Sequence, residues 1–81
     1  MGSNIRDEIV QLVRTKDPDR SMRPRVLGGE IAHLLTVRYP DLDGIAVMHY
    51  VAEVDANKRM IPEVLAAAVA EYFQLEEEAE R

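Results

Sequence analysis

Four prolines constrain this chain more than any other feature. Pro18, Pro24, Pro40 and Pro62 are spread through 81 residues. A proline removes a backbone donor and clashes with the turn before it, so a helix can contain one only in its first turn. The chain is thereby cut into short segments, each of which has to show its own periodicity.

The first segment does so clearly. Ile5, Ile9, Leu12 and Val13 fall on one stripe at helical spacing, Asn4 suits the N-cap, and Asp7 and Glu8 occupy the first turn, where the helix dipole favours negative charge. Lys16 to Arg23 is polar and contains Asp17-Pro18-Asp19, which reads as a loop because Pro18 disfavours a helical conformation at Asp17. Pro24 then opens a second helix that turns Val26, Leu27, Ile31, Leu34 and Leu35 inward. Gly28-Gly29 inside it costs about 1 to 2 kcal/mol against two alanines. The pair marks either a close helix crossing or a later helix start near Gly29, and a tight packing contact is the better reading.

Tyr39 to Gly44 ends that helix and offers Asp41 or Asp43 as the next cap. In the segment that follows, Ile45, Met48, Val51, Ala52 and Asp55 are helically spaced, while the β-branched Ile45, Val47, Val51 and Val54 would also suit a strand; its length favours a helix. Pro62 opens the last helix, with Ile61 extended before it and Val64, Leu65, Ala68, Val69, Tyr72 and Phe73 as a broad apolar side.

The expected fold is therefore all-α, a small four-helix bundle with helices near residues 4–15, 24–38, 44–57 and 62–78. Its core is Ile9, Leu12, Val13, Leu27, Ile31, Leu34, Leu35, Met48, Val51, Leu65, Val69, Tyr72 and Phe73. Short connections make consecutive helices antiparallel neighbours. Met1, Gly2 and Ser3 read as a start codon and cloning remnant, which leaves residues 4–81 as a single domain. With 47% hydrophobic and 31% charged residues, the chain can fill a core and keep a solvated surface.

Composition narrows the function. Cysteine is absent, which removes disulfides, thiolate zinc sites and thiol catalysis together. His33 and His49 lie on different predicted helices without the neighbours a metal site needs. Ser21 has no nucleophile elbow around it, and Gly28-Gly29 lacks the lysine and hydroxyl residue of a phosphate loop. No catalytic residue, metal or cofactor is expected. The apolar runs are short and broken by charge, and no basic flank precedes an apolar leader, so the expected setting is cytoplasmic, with no membrane partner.

Charge is the remaining signal. The net charge of −5 divides unevenly: residues 1–40 carry seven basic and five acidic groups, and residues 41–81 carry three and ten, giving +2 and −7. Arg14, Lys16, Arg20, Arg23 and Arg25 cluster around one predicted loop, while Glu71 and the run Glu76-Glu77-Glu78 with Glu80 close the chain. The plain readings are a solvated loop and a solvated helix end. The functional reading is a non-enzymatic protein-interaction or assembly module, self-associating or bound to another protein. Arg20, Arg23 and Arg25 would form its basic contact face and Glu71, Glu76 and Glu77 its acidic one.

A second reading comes from a resemblance. Val26-Leu27-Gly28-Gly29-Glu30-Ile31-Ala32-His33-Leu34-Leu35, followed by Arg38-Tyr39-Pro40-Asp41-Leu42-Asp43, resembles the second helix and following turn of LOTUS-type winged-helix domains. Those domains bind RNA or helicase partners. The resemblance implies phosphate contacts at Arg23, Arg25 and Arg38 and a strand pair around residues 45–61. The low pI and the presence of only four aromatic residues argue against nucleic acid.

Overall fold

The computed structural model describes residues 4–57 and 60–75. The three residues read as a cloning remnant lie outside this range, as do Lys58, Arg59 and the acidic segment from Glu76 onward, which includes the site candidates Glu76 and Glu77. Four helices follow one another: α1 (Ile5–Lys16), α2 (Pro24–Arg38), α3 (Gly44–Val54) and α4 (Pro62–Tyr72). No strand forms among the described residues, and α3 occupies much of the stretch where a winged-helix fold would place its strand pair.

Local chemistry accounts for the starts. The Asn4 side chain accepts from the Asp7 N–H at 2.9 Å, and the Asp43 carboxylate accepts from the N–H groups of Ile45 and Ala46 at 3.0 and 3.3 Å. Pro24 and Pro62 open α2 and α4, where no intrahelical donor is needed. The ends needed more than periodicity. α4 stops at Tyr72, well short of residue 78, because Gln74 takes a left-handed conformation with φ 58°. The Leu75 N–H then bonds back to Ala70 O at 2.7 Å and the Gln74 N–H to Glu71 O at 3.2 Å, which is a Schellman closure, with Leu75 buried beneath it. α3 likewise ends at Val54, three residues earlier than its periodicity suggests.

The helices form two antiparallel pairs that share one core. In the α2–α3 pair, Gly28 faces the Met48 backbone while Thr36 and Ala32 face Gly44, so the two chains run in opposite directions. A Cβ placed on Gly28 would lie 2.7 Å from Met48 O; one on Gly29 would meet nothing within 4 Å. The first glycine is therefore a close helix crossing and the second is not. The α1–α4 pair completes the core, with Ile5, Ile9 and Val13 against Leu65, Ala66, Val69 and Ala70.

Packing corrects the expected core in several places. In α3, Val47 and Val51 are fully buried and Met48 only half-buried, since close approach to α2 at Gly28 turns the helix so that the Met48 backbone faces its neighbour. Leu12, Leu34 and Phe73 are also half-buried. Val26 and Tyr72, both expected to turn inward, are 50% and 62% exposed, and Val64, placed on the apolar side of α4, is 48% exposed. Val26 lies about 200° around the helix from Gly28, at 100° per residue, and so points away from both α3 and the core. The alanines Ala66 and Ala70 take inward positions on α4 that leave Val64 and Tyr72 at its outer edge.

Candidate interaction surface

The loop between α1 and α2 is held by an internal ionic clasp. Arg20 adopts φ 58° and sends its guanidinium into the bundle. There it donates to Asp17 Oδ2 at 2.5 Å, to both carboxylate oxygens of Asp55 at 2.8 Å, and through Nε to Met60 O at 3.1 Å. Asp17 and Asp55 are 1% and 0% exposed, and the Met22 N–H donates to Asp17 Oδ1 at 2.8 Å. The planar fork of arginine suits a two-pronged carboxylate contact, which a lysine cannot reproduce. Arg20 thus leaves the expected basic contact face: its charge is used to join the α1–α2 loop to the α3–α4 loop.

The other candidates are distributed by topology. Arg23 and Arg25 are exposed at the start of α2 and Lys16 is exposed at the end of α1, and none of the three makes an ion pair among the described residues. No acidic residue lies in the first turn of α2, so both arginines stand against the positive end of its dipole. Glu71 is exposed in the last turn of α4, where no basic residue accompanies it, and pairs with Arg6 of α1 at 3.9 Å. Arg6–Glu71, Arg38–Glu8 and Tyr39 Oη on Leu75 O gather the start of α1 and the ends of α2 and α4. The Arg20 clasp gathers the opposite ends. Arg23 and Arg25 are therefore separated from Glu71 by the length of α2, about 22 Å at 1.5 Å per residue. They cannot meet within one molecule.

Elsewhere the described cations are partnered. Arg14 pairs with Glu63 across α1 and α4, and Arg38 pairs with Glu8 and lies 6.0 Å from the centre of the Tyr39 ring. Exposed pairs of this kind contribute little to stability. They do take Arg38, expected to meet phosphate, into a protein contact.

The feature missed in the sequence is an apolar outer side on α4. Ile61, Val64, Ala68 and Tyr72 recur at intervals of three or four, and Ile61, Val64 and Tyr72 are 56%, 48% and 62% exposed. Tyr72 stacks on Tyr50 of α3 with ring centroids 4.1 Å apart, and Phe73 meets both edge-on at 4.9 and 5.7 Å. Tyr50 Oη donates to Ala68 O at 3.4 Å. Burial, followed by the neighbouring Tyr72 and Glu71, raises the Tyr50 hydroxyl above the ordinary tyrosine range. One signal was visible beforehand: α4 contains only Glu63 and Glu71 as charged residues, and its apolar residues cover more than one side.

His33 and His49 are exposed on α2 and α3, and no group of three potential metal ligands occurs among the described residues. No described helix is long and apolar enough to cross a membrane. No family model matches this chain, and comparisons with curated proteins and with solved structures find no match.

Proposed function

We propose that this chain is a non-enzymatic protein-interaction or assembly module whose contact surface is the outer side of α4 together with Tyr50 of α3. The observation that carries this reading is that α4 is apolar on two sides. Leu65, Ala66, Val69 and Ala70 are buried in the bundle, while Ile61, Val64 and Tyr72 face outward. A helix apolar on both sides is normally covered on both. Tyrosine adds the chemistry common at contact centres, a rigid ring with a polar end. The nucleic-acid reading keeps Arg23 and Arg25 but loses Arg38 to Glu8 and finds α3 where its strand pair would begin.

The test compares two equally conservative disruptions. Val64→Glu and Val37→Glu each place a carboxylate at an exposed valine, 48% and 68% accessible, on different helices. Both proteins are expected to keep the helical circular dichroism of the parent. In extract of the source cells, radical footprinting should show Tyr72 protected in the parent and in Val37→Glu but open in Val64→Glu. Tyr72 labelled in extract as fully as in dilute, high-salt buffer, where the purified chain is monomeric, would refute the proposal.

A further inference from the structure

Two exposed patches on this molecule carry opposite charge. At one end of the bundle, exposed Arg23 and Arg25 lie at the start of α2 with Val26, which is 50% exposed, and the two arginines oppose the dipole of their own helix. At the other end, Glu71, whose side chain is 74% exposed, lies beside Tyr72, which is 62% exposed, and it opposes the dipole of α4. Each patch combines exposed charge with an exposed apolar residue, and the long 3.9 Å contact of Glu71 with Arg6 leaves most of its carboxylate open to solvent. Each carries what the other lacks, and they lie too far apart to meet within one chain.

We infer that the α4 surface takes a second copy of this chain, docked head to tail, with Arg23, Arg25 and Val26 of one copy against Glu71 and Tyr72 of the next. This rests on the interaction-module reading of the α4 surface and names its partner. An arginine beside Glu71 forms a charge-assisted pair, and the exposed Tyr72 ring offers an arginine a cation–π face. Val26 covers apolar ring surface that water now touches. Bringing the start of α2 against the end of α4 also relieves both helix ends, since each charge then meets a dipole of opposite sign. Because the two patches differ, the contact is heterologous, and each copy retains one open patch from which the assembly extends or closes into a ring.

Sedimentation of the purified chain decides the matter. At roughly 100 µM protein and about 20 mM salt the mass should exceed the 9.2 kDa of one chain and return to it near 500 mM salt, where screening shortens to about 4 Å. Arg23→Glu with Arg25→Glu should weaken association at low salt by about tenfold or more, and Glu71→Arg should do the same. Mixing these two variants should restore assembly, because each still carries the patch the other has lost. A parent that stays monomeric at low salt overturns the inference, as does association that survives Arg23→Glu with Arg25→Glu, or a mixture that remains monomeric. Should either variant lose its helical circular dichroism, the salt response of the parent alone decides. A monomeric parent whose Tyr72 is still protected in cell extract would overturn the second copy as partner and leave the interaction module standing; unprotected Tyr72 would remove both.

Discussion

Replacing each of the two adjacent glycines by alanine should move stability in opposite directions. In Gly28→Ala the new methyl lies 2.7 Å from Met48 O and 3.1 Å from Met48 Cα. Both are backbone atoms, so no side chain can swing aside, and α2 must move away from α3. Alanine improves an exposed helical glycine position by about 1 kcal/mol, but overpacking against a rigid neighbour costs about 1 to 3 kcal/mol. The obstacle here is backbone, which places the cost in the upper part of that range and makes the net loss about 1 to 2 kcal/mol. In Gly29→Ala the methyl meets nothing within 4 Å, and the helical gain of up to about 1 kcal/mol survives intact. The two variants should therefore differ by about 2 to 3 kcal/mol. For a domain of this size that corresponds to roughly 10 to 20 °C in Tm. Urea and thermal unfolding followed by far-ultraviolet circular dichroism would measure it. A Gly28→Ala protein as stable as the parent would show that α2 and α3 do not cross this closely, and the account of Met48 and Val47 would fall with it.

Removing Arg20 by Arg20→Ala leaves Asp17 and Asp55 buried beside each other without their shared cation; about 3 to 5 kcal/mol should be lost in urea unfolding, and a loss below about 1 kcal/mol would mean the clasp is hydrated. Gln74→Gly relieves a left-handed residue at the end of α4 and should stabilise by about 1 kcal/mol, seen as a rise in Tm; a fall would contradict the Schellman closure. The hydroxyl of Tyr50 is raised by burial and by Tyr72 and Glu71, so its neutral form is favoured in the folded state. The associated stability is present below the ordinary tyrosine pKa and lost as pH rises through the higher folded value. Ultraviolet titration should show a late-ionising component that Tyr50→Phe removes; an unchanged late component in Tyr50→Phe would assign it elsewhere.

The sequence alone pointed to four helices, to the starts of the first and last, to two candidate starts for each of the others, and to Gly28-Gly29 as a special place in the second. Asn4, Pro24 and Pro62 act within their own first turn, and so does Asp43, one of two caps the sequence offered for α3; such signals involve backbone groups a few residues away and are therefore legible in a linear reading. Even the choice between the two glycines was beyond it, because the deciding atom is Met48 O on another helix. Tertiary structure decided the rest. Arg20 looked like one more member of an exposed basic cluster, and only the fold brings Asp55, 35 positions later, to its guanidinium. Val64 and Tyr72 fit an apolar side by spacing, yet α4 has more apolar residues than one core can cover, and the small Ala66 and Ala70 win the inward positions because they let α1 approach. Which part of an overly apolar helix is left outside depends on the volumes of its neighbours, a quantity that no single segment of sequence contains.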